Sequence, residues 1–584
     1  MATSSSFAAR KERFLNRWHA ARATRTRVAP GGFKVQPEPR TIGSFARGRQ
    51  LLAGNFMFAG HFLQQPGKAD LWQLDAPNTG FLNEMHGFAW LDDLAAVGDA
   101  SARTAAQDWM WTWTDGYGRG RGPGWAPDVT GRRVMRWINH GLFLLRGQST
   151  GRSEAYFRSL GQQTLFLSRR WQGALSGLPR IEALSGLICA GLALEGMNEL
   201  VPAARRALER ECSARIDAQG GLPTRNPEEL LQVFTLLSWV AAALADAGEE
   251  PNDPHMAAIE RIAPTLRTLR HSDGGLARFH GGGRGLEGRL DHALAQSRVR
   301  TRHSDGLAMG FARLSAGRTS VVVDASVPPD GRDSVNAHAS ALAFEVTSGR
   351  RALVVNCGSG ESFGPEWRRA GRATPSHSTL CLDGYSSARL GPKDSASGLE
   401  PLIEGPTHVP IEIGHISDGL RFQGGHNGFV ATHGLTHART LEITFDGRAM
   451  AGEDMLLSLT DAEKRRFERA LDATGTKGIA FDIRFHLHPE VDVKLDLGGQ
   501  AVSMALKSGE IWVFRQDGSH DLRVEPSVYL EAGRLRPRGT NQIVLSGRAM
   551  SYATRTRWSL SKAQDTAIGV RDLTQDQPEL TEDS

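Results

Sequence analysis

The side chains best suited to chemistry are histidines, and their spacing can be read in four short stretches. SVNAHASALAFEV, residues 334–346, sets His338 among small residues ahead of a run that alternates apolar with small or polar positions. RWINHGLFLL places Asn139 next to His140. An imidazole titrates near pH ~6.5, so modest changes in its surroundings decide its charge near neutrality and make it the ordinary proton carrier. His433 and His437 in THGLTHART are spaced to share one face of a helix, but the surrounding pattern is β, where this spacing signals hydrogen-bonding roles rather than a metal site. His486 and His488 in RFHLHPEV alternate on a strand, face one side and read as strand packing. Tyr117, in DGYGRGRGPGW, reads as a loop side chain able to reach a cleft, whereas Tyr156 falls in a helical stretch and reads as packed. Arg132, Arg133, Arg368, Arg369 and Arg372 are candidate anion contacts, because a guanidinium meets a carboxylate or sulfate with a two-pronged fork. Ion pairing between layers is the bland alternative for all five. Asp92, Asp93 and Asp128 are the carboxylates that a glycoside hydrolase would have to set face to face, although nothing in the sequence sets their separation.

The elements that must position these groups change character near residue 300. Before it, helices dominate. In NPEELLQVFTLLSWVAAALADAG, Asn226 can cap, Pro227 suits the first helical position, Glu228 and Glu229 complement the positive helix end, and Gly248 can close the helix. Leu230, Val233, Phe234, Leu237, Val240, Ala241 and Leu244 then form one apolar stripe. Several more such runs, joined by Gly- and Pro-containing turns, predict a layered helical array or an α/α toroid. After residue 305 the punctuation is that of hairpins. ARLSAGRTSVVVD, ALAFEVTSGRRALVV, LEITFDGRAM, VKLDLGGQAVSMAL and IWVFRQDGSHDLRV each set β-prone residues around a turn candidate, which predicts a large antiparallel β domain. Residues 271–306, rich in Gly, Arg and His without clear periodicity, read as the connection.

Composition narrows the function classes. The charge of +5 is a small excess of 69 basic over 64 acidic residues, and no nucleic-acid-binding signature accompanies it, so a nucleic-acid partner is not expected. Local basic clusters can still attract an anionic polymer. No apolar run reaches the ~18–20 residues of a membrane span. The N-terminus is basic and without the apolar stretch of a secretory signal, so a cytoplasmic protein is expected; its functional alternative to a frayed helix is contact with an acidic surface. Cys189, Cys212, Cys357 and Cys381 lack metal or redox spacing and read as buried thiols.

AHASALAFEV, ALVVNCGSG, FGPEWRRAGRATPSHSTLCLDG and HNGFVATHGLTHARTLEI resemble the C-terminal β-sandwich of the heparinase II/III polysaccharide lyases. WAPDVTGRRVMRWINH, IDAQGGLPTRNPEELLQVF and GGLARFHGG resemble the helical half of that family, so the likeness covers roughly residues 70–560. The resemblance implies an incomplete α/α toroid followed by a large antiparallel β-sandwich. The expected segments are a basic N-terminal piece over 1–40, the toroid over 41–300, the sandwich over 301–562 and a disordered acidic tail over 563–584. It also implies cleavage of a uronic-acid, heparin- or heparan-sulfate-like polysaccharide by β-elimination, with an anionic polysaccharide or oligosaccharide as partner, and allows a cell-envelope or periplasmic location.

Carried over residue by residue, the likeness is incomplete. His338 and His377 match two histidines that hold a structural zinc in the heparinase II branch, but the aspartate between them falls on Asn356, so a required cofactor is not expected and zinc binding at His338, Asn356 and His377 should be weak. The branch's catalytic histidine falls on Asn336, which can donate a hydrogen bond but not shuttle protons. The family's catalytic tyrosine falls in NPEELL, on Glu228 or Glu229, and the helix supplying its neutralising asparagine becomes GLPRIEA, keeping at most Glu182. If elimination survives, Asn336 or Asn139 neutralises the carboxylate, and the proton carriers come from His338, His377, His140 and Tyr117. The alternatives are a catalytically degenerate carbohydrate-binding member and a toroid glycoside hydrolase.

Overall fold

A computed structural model describes residues 7–26, 30–34, 38–65, 70–300, 306–393 and 398–563. The expected tail therefore lies, apart from residue 563, outside the described residues. The order is the expected one, a helical toroid followed by antiparallel sheets. The chain divides into two compact units, but not at a single point: residues 1–218, 231–261 and 293–299 form the first, and 219–230, 262–292 and 300–584 the second.

The first unit is helical. Several of its helices begin where the sequence offers a side-chain acceptor, among them Ser44 for Phe45–Leu52, Asp99 for Ala100–Tyr117, and Ser149 for Thr150–Arg170. The helix capped by Asp99 runs on through Tyr117, so Tyr117 ends a helix instead of sitting in a glycine loop. Its ring packs against Trp72 and His86. The core is aromatic. Trp90, Trp113, Trp137 and Tyr156 are fully buried, and Trp137 stacks on Tyr156 with centroids 5.4 Å apart. Such pairs add about 0.5–1.5 kcal/mol each beyond the area they bury. Tyr156 donates its hydroxyl to the Trp137 carbonyl at 2.6 Å, the packed role expected for it.

Helix Pro227–Asp246 begins as its sequence dictates: the Asn226 carboxamide oxygen accepts from the Glu228 and Glu229 amides at 3.0 and 3.1 Å. Gly248, at φ +74°, ends it in a conformation that costs other residues strain. Of the described helices it is the one long and apolar enough to cross a bilayer, and half of that span is buried within the fold. Caps, flanking carboxylates and burial mark a core helix.

The second unit holds two eight-stranded antiparallel sheets. One runs, in spatial order, Ile411–Ile416, Gly419–Phe429, Leu435–Thr444, Ala449–Leu457, Ala553–Lys562, Ile511–Gln516, Ala501–Ala505 and Asp492–Asp496. The other runs Asp521–Tyr529, Arg538–Ala549, Ile479–Leu487, Arg351–Val355, Phe344–Ser348, Thr319–Asp324 and Phe311–Ala316, with Leu380–Leu382 joined to Ile479–Leu487. Burial alternates residue by residue along Leu435–Thr444, the period of a strand with one face in a core. Phe344, Phe485, Phe514 and Trp558 interlock there, Phe344 stacked on Trp558 at 5.8 Å.

Two expectations are corrected. IWVFRQDGSHDLRV is not a hairpin: Ile511–Gln516 pairs with Ala501–Ala505 and Ala553–Lys562, whereas Asp521–Tyr529 pairs with Arg538–Ala549 in the other sheet. The Asp-Gly turn changes sheets. The connection expected over 271–306 is, through residue 292, an integral part of the second unit. Leu276, Ala277, Arg278, Phe279 and His280 are all buried, and Arg278 donates to the carbonyls of Asn356, Cys357 and Leu530.

Candidate functional site

His338 precedes strand Phe344–Ser348, in the loop after a short 3-10 turn at Gly331–Ser334. His377 follows a similar turn at Thr374–Ser376. Both rings are buried, and they meet: His338 Nδ1 lies 3.0 Å from His377 Nε2. The Gly281 amide donates to His338 Nε2 at 3.0 Å, and His377 Nδ1 lies 2.9 Å from the Ala373 carbonyl oxygen. One proton arrangement satisfies all three contacts. Gly281 N–H donates to His338 Nε2, His338 Nδ1–H to His377 Nε2, and His377 Nδ1–H to Ala373 O. Both rings are neutral in this chain and neither keeps a free lone pair. Burial lowers the His338 pKa well below its ordinary value, helped by the neighbouring His377, His280 and arginines. Burial likewise lowers that of His377 to about 3.

A third imidazole, His280, accepts the His338 backbone amide on Nδ1 at 3.1 Å and turns Nε2 toward Asp324 Oδ2, 3.3 Å away. Burial opposes ionisation of Asp324, but the Arg225 guanidinium at 2.6 Å, His280 and the Ser340 hydroxyl hold its carboxyl well below the usual range. Arg225 also donates to the carbonyls of Met309, Gly310, Ser326 and Val327. The glycines over the histidines are dictated by space. Gly281 sits at φ +88° where a Cβ would come 2.9 Å from that of Asn336, and a Cβ on Gly282 would meet Asn226 Oδ1 at 2.5 Å. Glu228 accepts the Gly283 amide at 2.8 Å.

Asn336 is half-buried at the rim of this cluster, and its carboxamide oxygen accepts from Arg368 Nη2 at 2.7 Å. Arg368 also donates to the Val335 carbonyl. Arg369 is 64% exposed at its side chain and pairs with Glu400 at 3.1 Å. Arg372 is buried and ties Ser334, Ala337 and Glu400 together through their carbonyls, so it is a loop clamp rather than an anion contact.

The donor set considered for zinc does not fit one. The lone pairs of His338 and His377 are used as above, and Asn356 Oδ1 accepts the Ser378 amide at 3.0 Å while its Nδ2 lies 3.3 Å from Glu345. Among the described residues, no group of three or more His, Cys, Asp or Glu side chains is gathered as a metal centre.

The helical unit treats its candidates as packing groups. His140 Nε2 lies 2.9 Å from Asp92 Oδ1 and 3.0 Å from Thr41 Oγ1, and Arg136 Nε donates to Asp92 Oδ2 at 2.9 Å. Asp93 accepts the Ser44 amide at 2.8 Å and lies 3.5 Å from Arg47. Asp128 lies 3.6 Å from Arg132, which is also 3.5 Å from Glu182. These carboxylates are engaged with cations, not set face to face across a cleft. Arg133 is wholly buried, donating to Gln163, Thr130 and the carbonyls of His86 and Gly124, with its guanidinium 4.1 Å from the Trp113 ring centroid. Asn139 ends helix Pro127–Asn139, half-buried.

Other histidines fill the sandwich core. His426 Nε2 lies 3.2 Å from His437 Nδ1, His437 Nε2 lies 2.8 Å from Asp454 Oδ1, and Arg439 and Trp558 complete the Asp454 shell. His486 lies 2.7 Å from the Ser527 hydroxyl. His280, Arg225, Arg278 and Glu345 were not singled out from sequence. The signal was there in GGLARFHGG, where Arg278 and His280 interrupt an apolar run just before a glycine cluster.

Residues 298–559 match the family described as Heparinase II/III-like, C-terminal. FtsZ-localized protein C from Caulobacter vibrioides is 29% identical over 564 residues, 94% of each chain. Two solved structures share the fold: heparinase III, at 11% identity and TM-score 0.64 over 96% of this chain and 93% of the other, and a mutant of heparan sulfate lyase HepC from Pedobacter heparinus, at 14% identity and TM-score 0.56 over 95% and 88%.

Proposed function

Residues 298–559 carry the heparinase II/III-like C-terminal domain, and from that premise we propose that the chain is a catalytically degenerate member of that family which binds an anionic polysaccharide or oligosaccharide without cleaving it. The polysaccharide-lyase-like fold supports the ligand class. The neutral chain from Gly281 through His338 and His377 to Ala373 carries the loss of chemistry. Elimination needs a base for the C5 proton, an acid for the leaving oxygen and a neutraliser for the carboxylate. Here both histidines are neutral and saturated, Asn336 stands where a proton carrier is expected, and Tyr117 packs among aromatic rings. Arg368 and Arg369 remain the cations through which a polyanion would be held. The test is incubation of the full chain with a panel of uronic-acid polysaccharides, reading unsaturated uronide by ultraviolet absorbance beside a binding assay. Binding without absorbance is the expected result. Absorbance that disappears in His338→Ala or His377→Ala would restore the lyase reading.

A second reading draws on the Caulobacter relative, which matches along nearly the whole chain and is named for its localisation with FtsZ. On that basis the protein acts at FtsZ as a localised binding protein, which is compatible with loss of elimination. Co-sedimentation of the purified chain with FtsZ polymers tests it, and a chain left wholly in the supernatant counts against it.

A further inference from the structure

We propose that the chain self-associates as a two-fold dimer by pairing its edge strand Ile411–Ile416 with the same strand of a second copy. The two eight-stranded sheets have four edges, and three are guarded. Asp492–Asp496 carries Lys494 between its charged ends, and Asp521–Tyr529 contains Pro526 with Arg523 and Glu525. Arg313 of Phe311–Ala316 is tied to the carbonyls of Thr268 and Arg270. Ile411–Ile416 has neither lysine nor proline, and it pairs with Gly419–Phe429 over its whole length without a bulge. The Gly425 amide donates to the Pro410 carbonyl at 3.1 Å, which sets the alternation of the ladder. Residues 412, 414 and 416 bond inward, and the amides and carbonyls of Ile411, Ile413 and His415 point off the sheet. Among the described residues these groups have no hydrogen-bond partner. Ile413 is 38% exposed, and Phe445, whose ring lies 6.3 Å from that of His415, is 52% exposed.

The side chains select a second copy over an unrelated segment. An antiparallel pair centred on Ile413 sets the Ile413 groups of the two copies opposite each other, Ile411 opposite His415, and Glu412 opposite Gly414. Gly414 is flanked on its other side by Arg421. Glu412 of one copy then lies two strand spacings, about 9.6 Å, from Arg421 of the other, with only a glycine between them. Neither Glu412 nor Arg421 has an ion-pair partner among the described residues. The two-fold axis makes this pairing twice. One chain alone gives no reason for Gly414, since its φ lies outside the left-handed region and a Cβ there would meet no atom within 4 Å. A glycine inside a strand weakens it and marks the close approach of another backbone. This inference is independent of the function proposed above.

Light scattering of the full chain as it elutes from a sizing column tests it. A mass of two chains is expected at high concentration, falling to the 63.5 kDa of one on dilution. Ile413→Pro should hold the protein at one copy, because proline fits an edge position whose amide faces outward yet removes both bonds at the centre of the pair. Glu412→Arg and Arg421→Glu should each weaken the dimer about tenfold or more, since both pairs become like-charged. An equimolar mixture of those two variants should recover a mixed dimer of near wild-type stability. Glu412 and Ile413 are exposed and Arg421 half-buried, so circular dichroism should show all three variants folded. A mass of one chain at every concentration tried, a dimer undisturbed by Ile413→Pro, or no recovery in the mixture would each overturn the assignment, the first leaving the edge to an extended segment of another kind.

Discussion

Asp324 is the residue on which the histidine cluster rests. It accepts from Arg225 and Ser340 and faces His280, all within a buried volume. Replacing one partner of a buried ion pair leaves the other charge uncompensated, which costs about 3–5 kcal/mol. Asp324→Asn should therefore lower stability by about that amount in urea unfolding, and a loss under ~1 kcal/mol would show that the four carbonyls around Arg225 suffice. The same kind of accounting yields an expectation for zinc. With the acceptor atoms of His338, His377 and Asn356 committed to Gly281, to each other and to Ser378, protein purified without added metal should contain no stoichiometric zinc. Elemental analysis finding one zinc per chain would contradict the hydrogen-bond assignment.

Helix Pro227–Asp246 shows how much local chemistry can specify. Asn226 caps two amides, Pro227 occupies the first turn, and of the seven residues in the expected stripe all but the half-buried Ala241 are buried. Asn226→Ala should cost about 1 kcal/mol, within the usual 0.5–2 kcal/mol for a lost cap. Thermal unfolding with an unchanged midpoint would mean that solvent replaces the carboxamide. The glycine stretch behind it obeys a different constraint. Gly281→Ala must accept φ +88° and a 2.9 Å approach to Asn336, so it should destabilise by more than the ~1 kcal/mol of an unfavourable φ alone.

The whole molecule carries a strong dependence on acid. Burial foremost pushes the pKa values of His86, His377 and His488 to about 3 and those of His255 and His486 to about 4. Unfolded, each would bind a proton below pH ~6.5, so the unfolded state gains protons that the fold refuses. The stability from these neutral rings is complete above pH ~6.5 and is lost as pH falls toward 4 and 3, by up to about 1.4 kcal/mol per unit for each ring. Asp92, Asp324 and Asp454, whose pKa values are depressed despite burial, add a loss of the same sign at still lower pH. Urea midpoints should fall steeply from pH 7 to pH 5, and a flat profile would mean that these histidines are hydrated.

The helix-then-sheet order, the Asn226 cap and four of the five expected hairpins were readable from residues alone, because each depends on neighbours within a few positions: a 3.6- or 2-residue period, a capping acceptor, a turn glycine. IWVFRQDGSHDLRV marks where that logic ends. Its turn is local, but whether two strands pair is decided by which other edges are available, and Ala553–Lys562 and Arg538–Ala549 claimed them. The same holds at the candidate site. Sequence could nominate His338, His377, Arg133 and Arg372 by residue type and motif, yet a lone pair's availability depends on what lies within 3 Å. Residues 57 positions away, as Gly281 is from His338, are brought there only by folding. Tertiary packing thus turned two nominal proton carriers into a closed hydrogen-bond chain and two nominal anion contacts into buried clamps, since a polar group taken from water must be satisfied by whatever the fold places beside it.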